Sequence, residues 1–162
     1  MNQQAKNDSF SGEAAVLNSA ASRFTYQIGP HSILIETGVP AEVLTSRKIY
    51  AIPFAPHWCA GLTSLRGDLL PVVDMHRIVL GRSFGDDPHL LLLSFPQFPP
   101  VVITCDGYPR QLKLTDTKLT DSSKEKLPAW IPYALRHQGK TLLAADHPRL
   151  LQQLQQLSSS RA

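Results

Sequence analysis

Long apolar runs are missing from this 162-residue chain: the strongest, Leu90–Leu93, stops at Ser94. A bilayer span needs roughly 18 such residues, so direct membrane insertion is not expected. Cysteine is scarce. Cys59 and Cys105 are the only two, and neither has a second ligand at zinc spacing. Met1–Ser22 is polar and lacks the apolar centre of a secretory signal, which points to a cytoplasmic protein without a disulfide. Aromatics are only 7% of the chain, and the 16 Lys and Arg residues are scattered. The net charge of +3 therefore forms no basic run, and several aromatics fall on a buried period. Nucleic-acid binding by a small basic β-barrel, through single strands stacked on aromatics, remains only as the alternative reading.

Catalytic patterns are missing too. No Gly-x-Ser-x-Gly elbow frames Ser64, so a set of Ser64, Cys59 and Asp74 has no support as a triad. Asp68 and Asp74 read as a turn residue and a helix cap. The six histidines show no i, i+4 pair and no His-Glu-x-x-His, so they read as turn or solvent-facing side chains, not metal ligands. Gly81–Gly85 lacks the Lys-Ser/Thr of a phosphate loop. No enzyme, cofactor or metal site is expected.

Proline, by contrast, is plentiful at 13 residues, and it divides the chain into short segments. Phe24, Tyr26 and Ile28 alternate with polar residues, the period of a half-buried strand. Gly29-Pro30 turns the chain into Ile33-Leu34-Ile35. Ala41–Leu44 is a helical turn or irregular edge, and Lys48–Ile52 is a strand candidate. The segment Gly61–Asp74 reads as two strands about a tight turn at Arg66-Gly67-Asp68, with Leu69 on a buried face and Pro71 at an edge or bulge. Asp74 caps a helix over 75–80 that Gly81 ends. Leu90–Phe95 and Val101–Cys105 are further strands, and Thr115–Ala129 is a long polar loop. Trp130–His137 and Lys140–Ala145 form a last hairpin. Asp146 and Pro148 then open a helix over 147–157, with Leu150, Leu151, Leu154 and Leu157 on one side. The expected layout is a flexible leader at 1–22, with Glu13–Ala21 compatible with an unanchored short helix. A single β domain of two subdomains follows at 23–157, and a tail at 158–162. Many short strands with frequent breaks favour small barrels over a parallel α/β sheet.

The stretch Gly61-Leu-Thr-Ser-Leu-Arg-Gly-Asp-Leu-Leu-Pro-Val-Val-Asp74 resembles the signature of the CheW-like domain family. The lead-in Ile52-Pro53 to Pro56-His57-Trp58-Cys59-Ala60, the hairpin Arg23–Gly38 and the end of the chain at 131–151 are similar as well. This resemblance implies an all-β fold of two small five-stranded SH3/OB-like β-barrels packed together, with short helices at 75–80 and 147–157. It implies a non-enzymatic adaptor or scaffold in a two-component chemosensory array, serving chemotaxis or type IV pilus twitching motility. The implied partners are the regulatory domain of a CheA-type histidine kinase and the cytoplasmic tip of a methyl-accepting chemoreceptor. By the same likeness Gly61, Leu65, Arg66, Gly67 and Tyr108 match receptor-coupling positions. Pro40, Glu42 and Val43 fall in the kinase-facing stretch. Two departures stand out: Phe95–Pro100 replaces a Gly-rich turn, and Ala144-Ala145 replaces bulkier apolar residues.

Overall fold

The structure, a computed structural model, describes residues 22–114, 118–120 and 126–160. The expected leader, with its helix at Glu13–Ala21, lies outside the described residues apart from Ser22. The fold is mainly β. Among the described residues ten strands run in chain order: β1 Ser22–Ile28, β2 His31–Leu34, β3 Ala41–Leu44, β4 Cys59–Leu65, β5 Asp68–Val73, β6 His89–Leu93, β7 Val101–Lys113, β8 Lys118–Thr120, β9 Tyr133–His137 and β10 Lys140–Ala144. Helix α1 (Met75–Leu80) follows β5, and helix α2 (His147–Ser159) follows β10.

Strand β7 is long enough to serve two groups. Its first part is flanked by β5, parallel, and β6, antiparallel; its second part pairs with β1. One group therefore runs β3-β6-β7-β5-β4. The other runs β7-β1-β2-β10-β9, with β8 on its far edge. The two groups repeat one pattern of pairing. In the first, Glu42, Leu92, Val102, Val72 and Gly61 face one another across successive strands. In the second, the same row is Arg110, Thr25, Leu34, Ala144 and Tyr133.

The sequence carries the same repeat in part. Pro56, Trp58, Gly67 and Asp74 recur 72 positions later as Pro128, Trp130, Gly139 and Asp146. Their bonding recurs with them. Cys59 N donates to Pro56 O and Asp74 N to Trp58 O; Ile131 N donates to Pro128 O and Asp146 N to Trp130 O. Asp74 Oδ1 accepts from Arg77 N at 3.0 Å, and Asp146 Oδ1 from Arg149 N at 3.1 Å. Each carboxylate takes one of the donors that a helix start leaves unpaired. The six-residue α1 cannot hold itself in water, so its cap and its αL end at Gly81 (φ 73°) matter more than its propensity.

Packing follows the same division. Leu44, Leu65, Val72, Leu90, Leu92 and Val102 cluster inside the first group. Leu34, Leu135, Leu142 and Ala144 cluster inside the second. The largest cluster joins the groups: Tyr26, Ile28 and Ile33 meet Val73, Met75, Leu91 and Ile103, and α2 adds Leu150 and Leu154. Strand β2 lies between two strands and contributes to two clusters, which explains why Ile33 and Leu34, and Ile35 just past it, are all buried.

Several expectations need correction. Ala41–Leu44 is a regular strand, paired along its length with β6. Lys48–Ile52 is not a strand; its backbone pairs with β4 through a single bridge, Tyr50 to Leu62, and Thr63 Oγ1 donates to Lys48 O. The stretch read as a polar loop contains β8, which pairs with β9. Helix α2 runs to Ser159, past the expected end at 157 and into the expected tail. Leu69 is 64% exposed: near its tip the β4–β5 hairpin is covered on one face only. The six histidines are not all at the surface, since His76 and His147 are buried.

Candidate functional site

The β4–β5 hairpin carries the first candidate surface. Leu65 pairs with Asp68, so Arg66 and Gly67 alone make the turn. Both have positive φ, 50° and 86°, the primed geometry that matches the twist of a two-residue hairpin. Glycine takes that conformation freely; arginine does so at a cost. The turn projects the Arg66 side chain, 68% exposed, onto the neighbouring edge strand β3, where Nη2 donates to Glu42 Oε1 at 2.8 Å. An exposed pair of this kind contributes little stability, so its effect is to fix where the guanidinium points.

Beneath the tip, Leu65 is buried in the first group's cluster. Gly61 is buried too, and its φ of 141° is closed to most side chains. A Cβ there would sit 2.2 Å from the Tyr50 carbonyl oxygen. The missing side chain lets the 45–50 segment lie on β4, where Tyr50 N donates to Leu62 O and Leu62 N to Tyr50 O. Gly61 and Leu65 thus shape the hairpin, and Arg66 and Gly67 face solvent. Of the three residues expected to face a kinase, Pro40 and Glu42 are exposed, and Val43 leans on the large cluster. Glu42 and Arg66, for which the resemblance implies different partners, are bonded to each other.

Tyr108 lies elsewhere. It is 65% exposed and sits edge-on against His89, with ring centroids 4.9 Å apart. It borders a cleft of 990 Å³ in the second group, whose wall contains none of the other seven residues.

Two buried histidine networks escape a reading by motif. His76 Nε2 donates to Asp106 Oδ1 at 2.7 Å, and its Nδ1 meets Thr104 Oγ1, which also accepts from Met75 N. Partial burial would raise the Asp106 carboxyl, but the Gly29 amide and His76 outweigh it and hold it below its ordinary value. At the second helix, His147 N and Nδ1 both donate to Glu36 Oε1, at 2.7 and 2.8 Å, and Nε2 meets the Tyr26 hydroxyl at 2.8 Å. Burial would raise Glu36 also, and the hydrogen bonds and charge of His147 more than reverse it. Met75 and His147 are counterparts 72 positions apart, and each helix start has its first amide capped by a distant side chain, Thr104 of β7 and Glu36 just past β2. These groups lock helices to strands. Cys59 and Cys105 are free thiols, and burial pushes Cys105 up to about 12, far from a nucleophile's range. Among the described residues no group of three or more His, Cys, Asp or Glu side chains is placed to hold a metal ion. No helix there is long and apolar enough to cross a membrane.

A family model for the CheW-like domain matches residues 24–155. The chain belongs to the CheW-like domain family. Among solved structures it is similar to the scaffolding protein TtCheW from Thermoanaerobacter tengcongensis, with a TM-score of 0.61 at 15% identity, covering 78% of this chain and 88% of that one. That likeness shows the CheW-type fold. No curated protein matches the chain.

The signal for the family lies in Gly61–Asp74. The Glu42–Arg66 contact has no such signal, because it joins a turn to a strand 24 residues earlier.

Proposed function

We propose that this chain is a non-enzymatic adaptor that couples a chemoreceptor to a CheA-type histidine kinase in a bacterial chemosensory array. The observation that carries this reading is the rigid Arg66-Gly67 tip beside Glu42, an exposed polar surface fixed on a member of a scaffold family. Arg66 and Gly67 would touch the receptor, with Gly61 and Leu65 shaping the hairpin; Tyr108 borders a separate cleft and would meet the receptor only if the receptor also reaches that cleft. Pro40, Glu42 and Val43 would lie toward the kinase. Because Glu42 holds Arg66, the two partners would read neighbouring ends of one contact.

The chemistry is positional. A stiff body with two docking faces makes the second binding event effectively intramolecular. Each face need bury only on the order of 1,000–1,600 Å² in total. Signal passes as a change between packed arrangements of the partners, without a covalent step in the adaptor.

In this reading each five-strand group closes into a small SH3/OB-like barrel. The Tyr50–Leu62 bridge and the separate apolar clusters support that closure. The protein works in the cytoplasm, in a flagellar or a type IV pilus (twitching) array. Receptor, flagellar or pilus-response genes beside its own would distinguish the two settings.

The test is a pull-down of a purified CheA-type regulatory domain and, separately, of a receptor cytoplasmic tip. Retention of both supports the adaptor; retention of neither removes it.

A further inference from the structure

The two strand groups share one pairing pattern, yet their corresponding tips carry different charges. In the first, the turn and edge strand present Glu42, Arg66 and Asp68, and the two side chains nearest each other, Arg66 and Glu42, neutralise one another. Matching the paired rows places Arg110 where the first group has Glu42. The offset of 72 places Gln138 at Arg66 and Lys140 at Asp68. The backbone is kept: Gln138 and Gly139 have φ of 48° and 77°, close to Arg66 and Gly67. What changes is the sign. An acid-base-acid set becomes base-neutral-base.

All three second-group residues line the 990 Å³ cleft that Tyr108 borders. The cleft's one described carboxylate, Asp106, is already bonded by His76 Nε2 and by Gly29 N. Among the described residues, Arg110 and Lys140 have no carboxylate partner. An arginine whose counterpart position is an acid, in a cleft whose other polar groups are hydroxyls, amides, the imidazoles of His31 and His137 and the already bonded Asp106, is arranged to receive a carboxylate from outside.

The shape favours a chain over a lone anion. Tyr108, Arg110 and Leu112 all border the cleft along β7, which bulges against β1 between Asp106 and Arg110. At no more than about 3.3 Å per residue that wall is at most about 13 Å long, room for about three residues of extended polypeptide. We propose that this cleft is a second docking site, which takes an acidic peptide segment of a partner protein on Arg110 and Lys140, with the segment's apolar side chains against Tyr108. That the occupant belongs to a protein rests on the adaptor reading; the demand for carboxylates rests on the cleft alone.

The test uses the full chain and a fluorescein-labelled octapeptide of alternating Glu and Ala, followed by anisotropy at low and at physiological salt. Binding is expected that weakens with salt. In the doubly substituted Arg110→Glu, Lys140→Glu chain the affinity should fall by about tenfold or more, because like charges now face each other. Arg66→Ala should bind the peptide as the parent does. Both exchanged residues are exposed, and circular dichroism shows whether the variant is folded. If it is not, Arg110→Gln alone should weaken binding in the same direction. Absence of binding at low salt, equal binding by the charge-reversed chain, or equal binding of an Ala-Gln octapeptide overturns the proposal. Displacement of the peptide by low concentrations of inorganic phosphate would mark a small-anion site instead and also overturn it. Self-association of the parent that the double variant loses would make the occupant a second copy of this chain, and the proposal of a separate partner would fall. A chain that fails this test yet retains kinase and receptor keeps the adaptor reading; one that binds the peptide and retains neither loses that reading alone.

Discussion

Arg66 reaches back from its turn to Glu42, Nη2 to Oε1 at 2.8 Å, and so ties the tip of the β4–β5 hairpin to the edge strand β3. Both side chains remain substantially exposed, at 68% and 46%. The contact orients a cation without burying it.

Arg66→Ala should leave stability within about 0.5 kcal/mol of the parent, since exposed substitutions and exposed ion pairs contribute little. Urea denaturation checks this. A loss of several kcal/mol would mean that the tip is structural, and any coupling defect would then follow from lost folding.

Gly61→Ala should behave in the opposite way. Its φ of 141° and the Tyr50 carbonyl oxygen 2.2 Å from the added carbon force the backbone to move. The expected cost is on the order of 1–3 kcal/mol, with loss of the Tyr50–Leu62 bridge. Denaturation and amide exchange at Leu62 measure the two effects. If Gly61→Ala impairs coupling while stability and exchange are unchanged, Gly61 is a contact residue and does not act by shaping the hairpin.

Glu36 should make the protein acid-sensitive. Its carboxyl is held below the ordinary 4.5 by His147, so the unfolded chain takes up a proton more readily than the folded one. Stability from this pair is present above that ordinary value and drains away as pH falls through the lower folded one. Thermal melts between neutral pH and about pH 3 should show this decline, and Glu36→Gln should be less stable at neutral pH with a flatter acid limb. An unchanged acid limb in Glu36→Gln would assign the decline to other groups.

Leu69 and Leu91 should separate surface from core. Leu69→Asp should cost no more than about 0.5 kcal/mol, because the side chain is 64% exposed. Leu91, fully buried in the large cluster, should cost about 2–5 kcal/mol as Leu91→Ala. Denaturant midpoints decide, and a severe Leu69→Asp defect would move that strand face into the core.

Much of the architecture is legible in the sequence because local chemistry decides it. Asp74 and Gly81 bound α1, Gly67 and Gly139 mark hairpin turns, and the 3.6-residue period buries Leu150 and Leu154 in α2, though it fails at Leu157, which is exposed. What is not legible depends on partners distant in the chain. Period and propensity place Leu69 inside, whereas the hairpin tip is covered on one face only. Residues 48–52 look like a strand yet form no ladder: they hold β4 through the Tyr50 bridge and through Lys48 O, which accepts from Thr63 Oγ1. His76 and His147 match no motif, and their burial follows from Asp106 and Glu36, which lie 30 and 111 residues away. The repeat is visible in the chain itself: the only two tryptophans, Trp58 and Trp130, stand at one distance from their turn glycines and capping aspartates. The Arg110 counterpart of Glu42 is not, since it emerges only from strand pairing.

The most direct measurement of the adaptor account is assembly of the ternary complex from purified adaptor, CheA-type kinase regulatory domain and receptor cytoplasmic tip, comparing the parent with Arg66→Glu. The parent should bridge the two partners, and Arg66→Glu, folded but repelled by Glu42, should lose the receptor while keeping its shape. Equal assembly by both chains, or no bridging by the parent, would contradict it.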